Sequence, residues 1–238
     1  MDLYNDFKEY AQKHMGISSL QFHYWEKLQE TVYSGGMQVP CVVGSATPYI
    51  IEERELRATV IDIFSRLMMD RIIWLVGPVN DRMSTVVQAQ LMYLDQNETK
   101  DIIFHVDTPG GSVKSGLSIV DVMNYISSDV ATINTGMAAS MGSILLGAGA
   151  KGKRYSLPFS KVMLHQVSSG FYGNIQDHEI NFKETKKYNE ILFGLLGEYT
   201  NKQPKQVLKD AQRDLWLTAQ EAKDYGIIDG IITKKVSK

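Results

Sequence analysis

The sequence predicts an α/β fold, because short apolar strands alternate with helix-length segments and a long amphipathic helix follows the last strand. Strands are expected at 72–76, 101–106, 130–135, 153–157 and 161–165, with helices near 82–96, 113–126 and 137–147 between the earlier ones. The run Ile102-Ile103-Phe104-His105-Val106 is the clearest strand. It ends at Pro109-Gly110-Gly111, where two glycines let the backbone come close to a ligand, although an ordinary tight turn fits as well. A helix-like segment from Val113 to Ile126 follows. Val130 to Asn134 alternates like a strand, and Met137 to Leu146 is rich in Ala, Met and Leu, which favours helix.

Beyond that helix, Gly147-Ala148-Gly149-Ala150-Lys151-Gly152 fits G-x-G-x-x-G, and with Lys153 it fits most of a P-loop. The P-loop needs Ser or Thr for magnesium where this chain has Arg154, and here the glycines follow a helix and lead into a strand. They are read as a helix stop, so the chain is expected to carry no ATPase of its own. After the strand Lys161-Val162-Met163-Leu164 comes the polar stretch Ser168-Ser169-Gly170, then a long helix over 175–199. In that helix Tyr188, Ile191, Leu192, Leu195, Leu196 and Tyr199 recur at helical spacing, and its charged beginning is much less apolar than its end. Thr218-Ala219-Gln220-Glu221 is a capping box opening a short helix that Gly226 can stop.

At 238 residues the chain suits one domain with an appendage. A formal charge of -2 without a basic cluster argues against nucleic acid as a partner. The single cysteine, Cys41, excludes an internal disulfide and fits a reducing compartment. Residues 1 to 20 hold no signal-peptide core, no run is long enough to span a bilayer, and a cytoplasmic location is expected. No cluster has metal-site spacing, so neither metal nor cofactor is expected.

The chemistry centres on Gly136-Met137-Ala138-Ala139-Ser140-Met141-Gly142. Ser140, flanked by small residues where a strand gives way to a helix, has the setting of an activated nucleophile. In the first helical turn, nearby backbone N–H groups lack intrahelical partners and can stabilise a carbonyl oxygen that gains charge. The small residues equally suit a buried helix that packs closely. A base must come from the five histidines. His14 and His23 lie in a charged, tyrosine-rich stretch, and His178 neighbours Asp177 and Glu179 on an exposed face. His105 sits inside a strand, as a packed or interface residue would. His165 ends a strand and opens into a loop, where catalytic side chains tend to be placed. A carboxylate should orient the imidazole, but spacing alone does not choose among the many available.

With Asp107-Thr108-Pro109-Gly110-Gly111-Ser112-Val113, Met137-Ala138-Ala139-Ser140-Met141-Gly142, Leu164-His165-Gln166 and Arg213-Asp214 in that order, the sequence resembles the proteolytic subunits of the Clp protease, ClpP, from about Pro48 to Thr233. The resemblance implies a ClpP/crotonase-like fold with a protruding handle helix. It implies a serine endopeptidase with Ser140 as nucleophile, His165 as base and then acid, and Asp214 as the orienting carboxylate. The backbone N–H groups of Gly111 and Met141 would form the oxyanion hole. Extended substrate would pair with backbone after the Gly110-Gly111 turn and along 167–174, which is β-strand addition.

The same resemblance implies two stacked seven-membered rings, joined through the handle and enclosing a chamber for peptides and unfolded proteins. A hexameric AAA+ unfoldase would deliver protein substrates and supply any ATP hydrolysis. It would dock in apolar clefts to which Tyr125, Ile133, Tyr155 and Leu157 correspond, and each of these also fits plain core. Thr135 and His105 stand where the family is usually more apolar. Gln212 stands where an acidic residue commonly pairs with an arginine across the rings, the role Arg213 would take. Glutamine cannot form that charge-assisted pair, so a more labile junction is expected.

The domains expected are an amino-terminal extension over 1–45, which could be a self-removed propeptide cut between Gly36 and Tyr49, and a peptidase domain over 46–238. Within it lie an axial segment at about 46–60, a head at 61–166, a handle at 167–200 and a carboxy-terminal part at 201–238. Two other classes fit parts of this pattern: an idle structural ring subunit, and an acyl-CoA hydratase or isomerase of crotonase type, which would not need the serine triad.

Overall fold

The computed structural model describes residues 49–54, 57–170 and 173–233, with side chains from residue 61 onward. The expectations for the 1–45 extension lie outside the described residues. Those residues belong to one compact unit, Pro48–Lys238.

An antiparallel hairpin, β1 (Tyr49–Arg54) and β2 (Arg57–Asp62), leads into α1 (Ile63–Met69). Asp62 caps that helix by accepting from the backbone N–H groups of Phe64 and Ser65. There follow β3 (Ile72–Val76), α2 (Asp81–Asn97), β4 (Ile102–Thr108), α3 (Val113–Tyr125), β5 (Val130–Ala139), α4 (Met141–Gly147), β6 (Arg154–Ser156) and β7 (Lys161–Leu164). The chain continues through α5 (Ile175–Thr200), α6 (Pro204–Asp210), β8 (Leu215–Thr218), α7 (Ala219–Tyr225) and β9 (Gly230–Ile231).

The main sheet runs β3-β4-β5-β6-β9, with β7 pairing both the end of β5 and β8. Every pairing is parallel except β7 with β8. The α/β expectation holds. Parallel strands need helical crossovers, and these helices bury one face of the sheet. On β4 the alternation is strict: Ile102, Phe104, Val106 and Thr108 are buried and the residues between them are half-exposed. Leu75, Leu91, Ile119, Leu145 and Leu164 complete the core around them.

Two junctions differ from expectation by more than one residue. The helix expected at 137–147 begins only at Met141, because Met137, Ala138 and Ala139 extend β5 by pairing with Lys161, Val162 and Met163 of β7. Parallel ladder bonds outweigh the helical preference of Met and Ala. Ser140 is therefore the residue before the helix and not part of its first turn. Strand β4 likewise runs to Thr108, through a register shift after Val106.

All of α4 is buried, and its small residues have packing reasons. A Cβ on Gly142 would lie 2.6 Å from Thr108 Cγ2, and one on Gly147 would lie 2.6 Å from the Tyr199 ring. The Gly147–Gly152 stretch is a helix stop, as read: α4 ends at Gly147 with Ala148 as its C-cap. The handle helix α5 is exposed through its first half and buries Leu192, Phe193 and Leu196 near its end. The Thr218–Glu221 capping box and the Gly226 stop are both present.

Arg154 is 6% exposed and clamps the carboxy-terminal part. Its Nη2 and Nε donate to Asp229 Oδ1 and Oδ2 at 2.6 and 2.9 Å, and its Nη1 donates to the Tyr199 carbonyl at 2.9 Å. Burial pushes the Asp229 carboxyl up, but the Arg154 bonds outweigh it and hold the group below its ordinary value. A carboxyl lowered in this way stabilises the fold at pH values above about 4, and that contribution is lost as pH falls through the folded value. Arg154→Leu should cost about 2 kcal/mol in urea unfolding at neutral pH, because it leaves the half-buried Asp229 carboxylate with only the backbone N–H groups of residues 152 and 154 as partners. A loss under about 1 kcal/mol would remove the clamp from the argument.

Candidate active site

Strand β7 organises the site. Its Met163 pairs with Ala139 on one side and its Leu164 pairs with Leu215 on the other. One residue further along each strand, Ser140 follows Ala139, His165 follows Leu164, and Asp214 precedes Leu215 in the antiparallel partner. The three side chains thus emerge from adjacent strands, about 4.8 Å apart, at one edge of the sheet. That edge is the carboxyl end of the parallel strands, where open α/β sheets place their ligands.

The Ser140 backbone N–H donates to the Met163 carbonyl at 2.9 Å, which ties the junction down. Its backbone has φ 54° and ψ -121°, a strained conformation of the kind kept where a side chain must be held out from a sharp strand-to-helix turn. Ser140 Oγ lies 2.8 Å from His165 Nε2. On the far side of the ring, His165 Nδ1 lies 3.5 Å from Asp214 Oδ1. The histidine side chain is 27% exposed and the aspartate 59%. The Ser–His contact is formed and the Asp–His contact is loose, as is common before substrate binds. This geometry assigns Nδ1–H to the aspartate side and leaves the Nε2 lone pair for the serine proton.

The glycine turn fits against the serine. Thr108 Oγ1 accepts from the Gly110 N–H at 3.0 Å and donates to the Gly77 carbonyl at 2.7 Å. Val79 donates to the Gly110 carbonyl and accepts from the Ser112 N–H, both at 2.8 Å. In that parallel bridge the bonds flank Gly111, so its own N–H points away from Val79. Gly110 has φ 92°, and a Cβ there would lie 2.6 Å from Ser140 Cβ and 2.9 Å from Met141 N. Gly111 has φ 146°, and a Cβ there would strike the Val79 backbone. Only glycine fits either position. The Met141 N–H is the first of α4 and has no intrahelical acceptor. Met141 follows Ser140 in the chain and Gly111 lines the same cleft as Ser140, so the arrangement suits a carbonyl that becomes an oxyanion.

A cleft runs past these groups, lined on its apolar wall by Val113, Ile144, Leu192, Phe193 and Leu196. Sequence reasoning missed that wall, because it joins α3, α4 and the end of α5. It also missed Val79, and it gave Thr108 no role of its own. The Asp107 carboxylate, which accepts from Met137 N–H at 2.9 Å, holds the start of the bulged end of β5. Among the described residues no group of His, Cys, Asp and Glu could hold a metal ion.

The outer residues fall elsewhere. Tyr125 is exposed at the end of α3, Ile133 and Tyr155 are adjacent partners on β5 and β6, and Leu157 is half-buried just beyond β6. His105 belongs to the same sheet and stacks on Trp74, with ring centroids 4.2 Å apart. Burial lowers its pKa. Gln212 and Arg213 are exposed just before β8.

A family model described as Clp protease matches residues 54–235. The chain belongs to the Clp protease family. It is 47% identical over 232 residues to an ATP-dependent Clp protease proteolytic subunit of Bacteroides fragilis, covering 97% of this chain and 100% of the relative. The corresponding subunits of Bacteroides thetaiotaomicron and Porphyromonas gingivalis are 46% and 45% identical, each across 97% of this chain and at least 98% of the relative. The Clp family member described here is a serine endopeptidase, and the family works as oligomers with an AAA+ partner. The idle-subunit and acyl-CoA readings are not favoured. No helix among the described residues is long and apolar enough to cross a membrane.

Proposed function

We propose that Ser140, His165 and Asp214 are the catalytic triad of this peptidase and that Gly111 and Met141 supply its oxyanion hole. The 2.8 Å contact between Ser140 Oγ and His165 Nε2, on a strained strand-to-helix junction, carries the assignment. Ser140 Oγ attacks the peptide carbonyl carbon and gives its proton to Nε2. The carbonyl oxygen takes the negative charge against the two N–H groups, and Asp214 steadies the imidazolium. Nε2 then protonates the leaving amine as the C–N bond breaks, leaving an acyl-enzyme. Water, deprotonated by the same nitrogen, attacks that ester and frees Ser140. The apolar wall of the cleft suits an apolar side chain next to the scissile bond.

The assembly we propose is two stacked heptameric rings in the cytoplasm, closed around peptides and unfolded chains that a hexameric Clp-type unfoldase delivers. Exposed Ile175, Ile180 and Phe182 on the first half of α5 offer the apolar surface that ring stacking needs. Tyr125, Ile133, Tyr155 and Leu157 would meet the unfoldase. Gln212 and Arg213 would face the opposite ring in a junction weakened by the missing charge.

One experiment addresses both levels: sedimentation of the full chain after fluorophosphonate treatment, followed by mass analysis. The expected result is one adduct, on Ser140, in a species of double-ring mass that halves on dilution. No adduct on an assembled species would sink the triad. Double rings that stay intact at every concentration and salt level would sink the labile junction.

A further inference from the structure

Between the His165 strand end and the handle lies a contact that the mechanism does not use. Asn189 Oδ1 accepts the Val167 backbone N–H at 3.1 Å, and one turn earlier on α5 Thr185 Oγ1 lies 3.4 Å from the Ser169 hydroxyl. Residues four apart on a helix are separated by about 6 Å along its axis. Residues two apart on an extended chain are separated by about 6.6 Å. The two rungs therefore match an extended 167–169 segment lying along α5. In such a segment, successive residues direct their backbone groups to opposite edges. With the Val167 N–H turned to the helix, Ser168 turns its N–H and C=O the other way, and Gln166, Val167 and Ser168 all line the cleft with Ser140, Gly111 and His165.

We infer that Asn189, helped by Thr185, is a positioning residue: it holds one edge of the 167–169 segment against the handle so that the other edge is fixed in place to pair with substrate backbone. The inference rests on the proposed reading of the site as one that binds an extended peptide. Helix α5 is a rigid support, since its end is anchored in the core by Leu192, Phe193 and Leu196. An edge held in advance spares the peptide the cost of ordering it. The loop from Ser168 to Gly170 is exposed and polar.

The test is steady-state hydrolysis of an unstructured fluorogenic hexapeptide by the full chain, with Asn189→Ala, Asn189→Asp and Thr185→Val beside wild type. Asn189→Ala should raise KM about tenfold, the size of one lost hydrogen bond in a binding edge, with most of the effect in KM and little in kcat. Asn189→Asp keeps an acceptor for the Val167 N–H and should restore KM to near wild type. Thr185→Val, on the longer rung, should give a smaller rise. Unchanged KM in both Asn189→Ala and Thr185→Val would overturn the inference. A fall in kcat matched by slower labelling of Ser140 with a small fluorophosphonate would also overturn it, because the contact would then act on the Ser140–His165 pair. Absence of Ser140 labelling in wild type is a separate result that removes the triad assignment, while the KM comparison still judges Asn189.

Discussion

Ser140→Ala is expected to abolish peptide hydrolysis, lowering kcat by about 10⁶, the size of effect seen when the serine of such a unit is removed. Without Oγ there is no bond to the carbonyl carbon and no acyl-enzyme. The oxyanion donors and the cleft remain, so a residual rate about 10³-fold above water is expected. The fold should tolerate the change. The bond from the residue 140 N–H to the Met163 carbonyl is kept, and only the contact with His165 Nε2 is lost. Kinetics on a fluorogenic peptide, with a thermal melt of the same preparations, would check both halves. A variant that keeps more than a hundredth of the activity would place the nucleophile elsewhere.

Gly111→Ala carries the second large effect, a fall in kcat of about 10² to 10³ with the triad chemically untouched, as when one oxyanion donor is lost. The backbone at φ 146° is a conformation that alanine resists, and its Cβ would run into the Val79 backbone. Relieving that overlap must move the turn, and the Gly111 N–H turns with it. Gly152→Ala is the control. It has φ 85° with nothing within 4 Å of the new Cβ, so it adds backbone strain of about 1 kcal/mol without touching the site. If both variants lose equal stability but only Gly111→Ala loses kcat, the effect belongs to the oxyanion hole. If Gly111→Ala melts normally and retains full kcat, Gly111 is not a donor.

Both predictions involve residues that are legible in the sequence. The Ser140 junction and the Gly110-Gly111 turn are local features, signalled by small residues, a proline and the change from strand to helix composition. His165 stood out among the histidines by its place at a strand end. The serine's exact position was not legible: Met137 to Ala139 have helical composition, and only pairing with β7 makes them strand. Asp214 was out of reach of spacing arguments, because β8 is four residues long and half-exposed, and nothing in Leu215 to Thr218 announces that it runs antiparallel to β7. Resemblance to the family singled it out.

The chain by itself determined the α/β class, the strands and helices that carry the site, the helix stop at Gly147, the capping box at Thr218 and the nucleophile and base candidates. Each depends on residues close in sequence, through periodicity, backbone freedom or side-chain capping. The tertiary structure decided the rest: the 2.8 Å Ser140–His165 contact, the loose reach to Asp214, the Val79 bridge that turns the Gly111 N–H outward, the apolar wall of the cleft and the Asn189 contact with Val167. Those features join strands and helices up to about eighty residues apart in the chain. Their geometry is set by sheet register and helix packing, which no local pattern encodes.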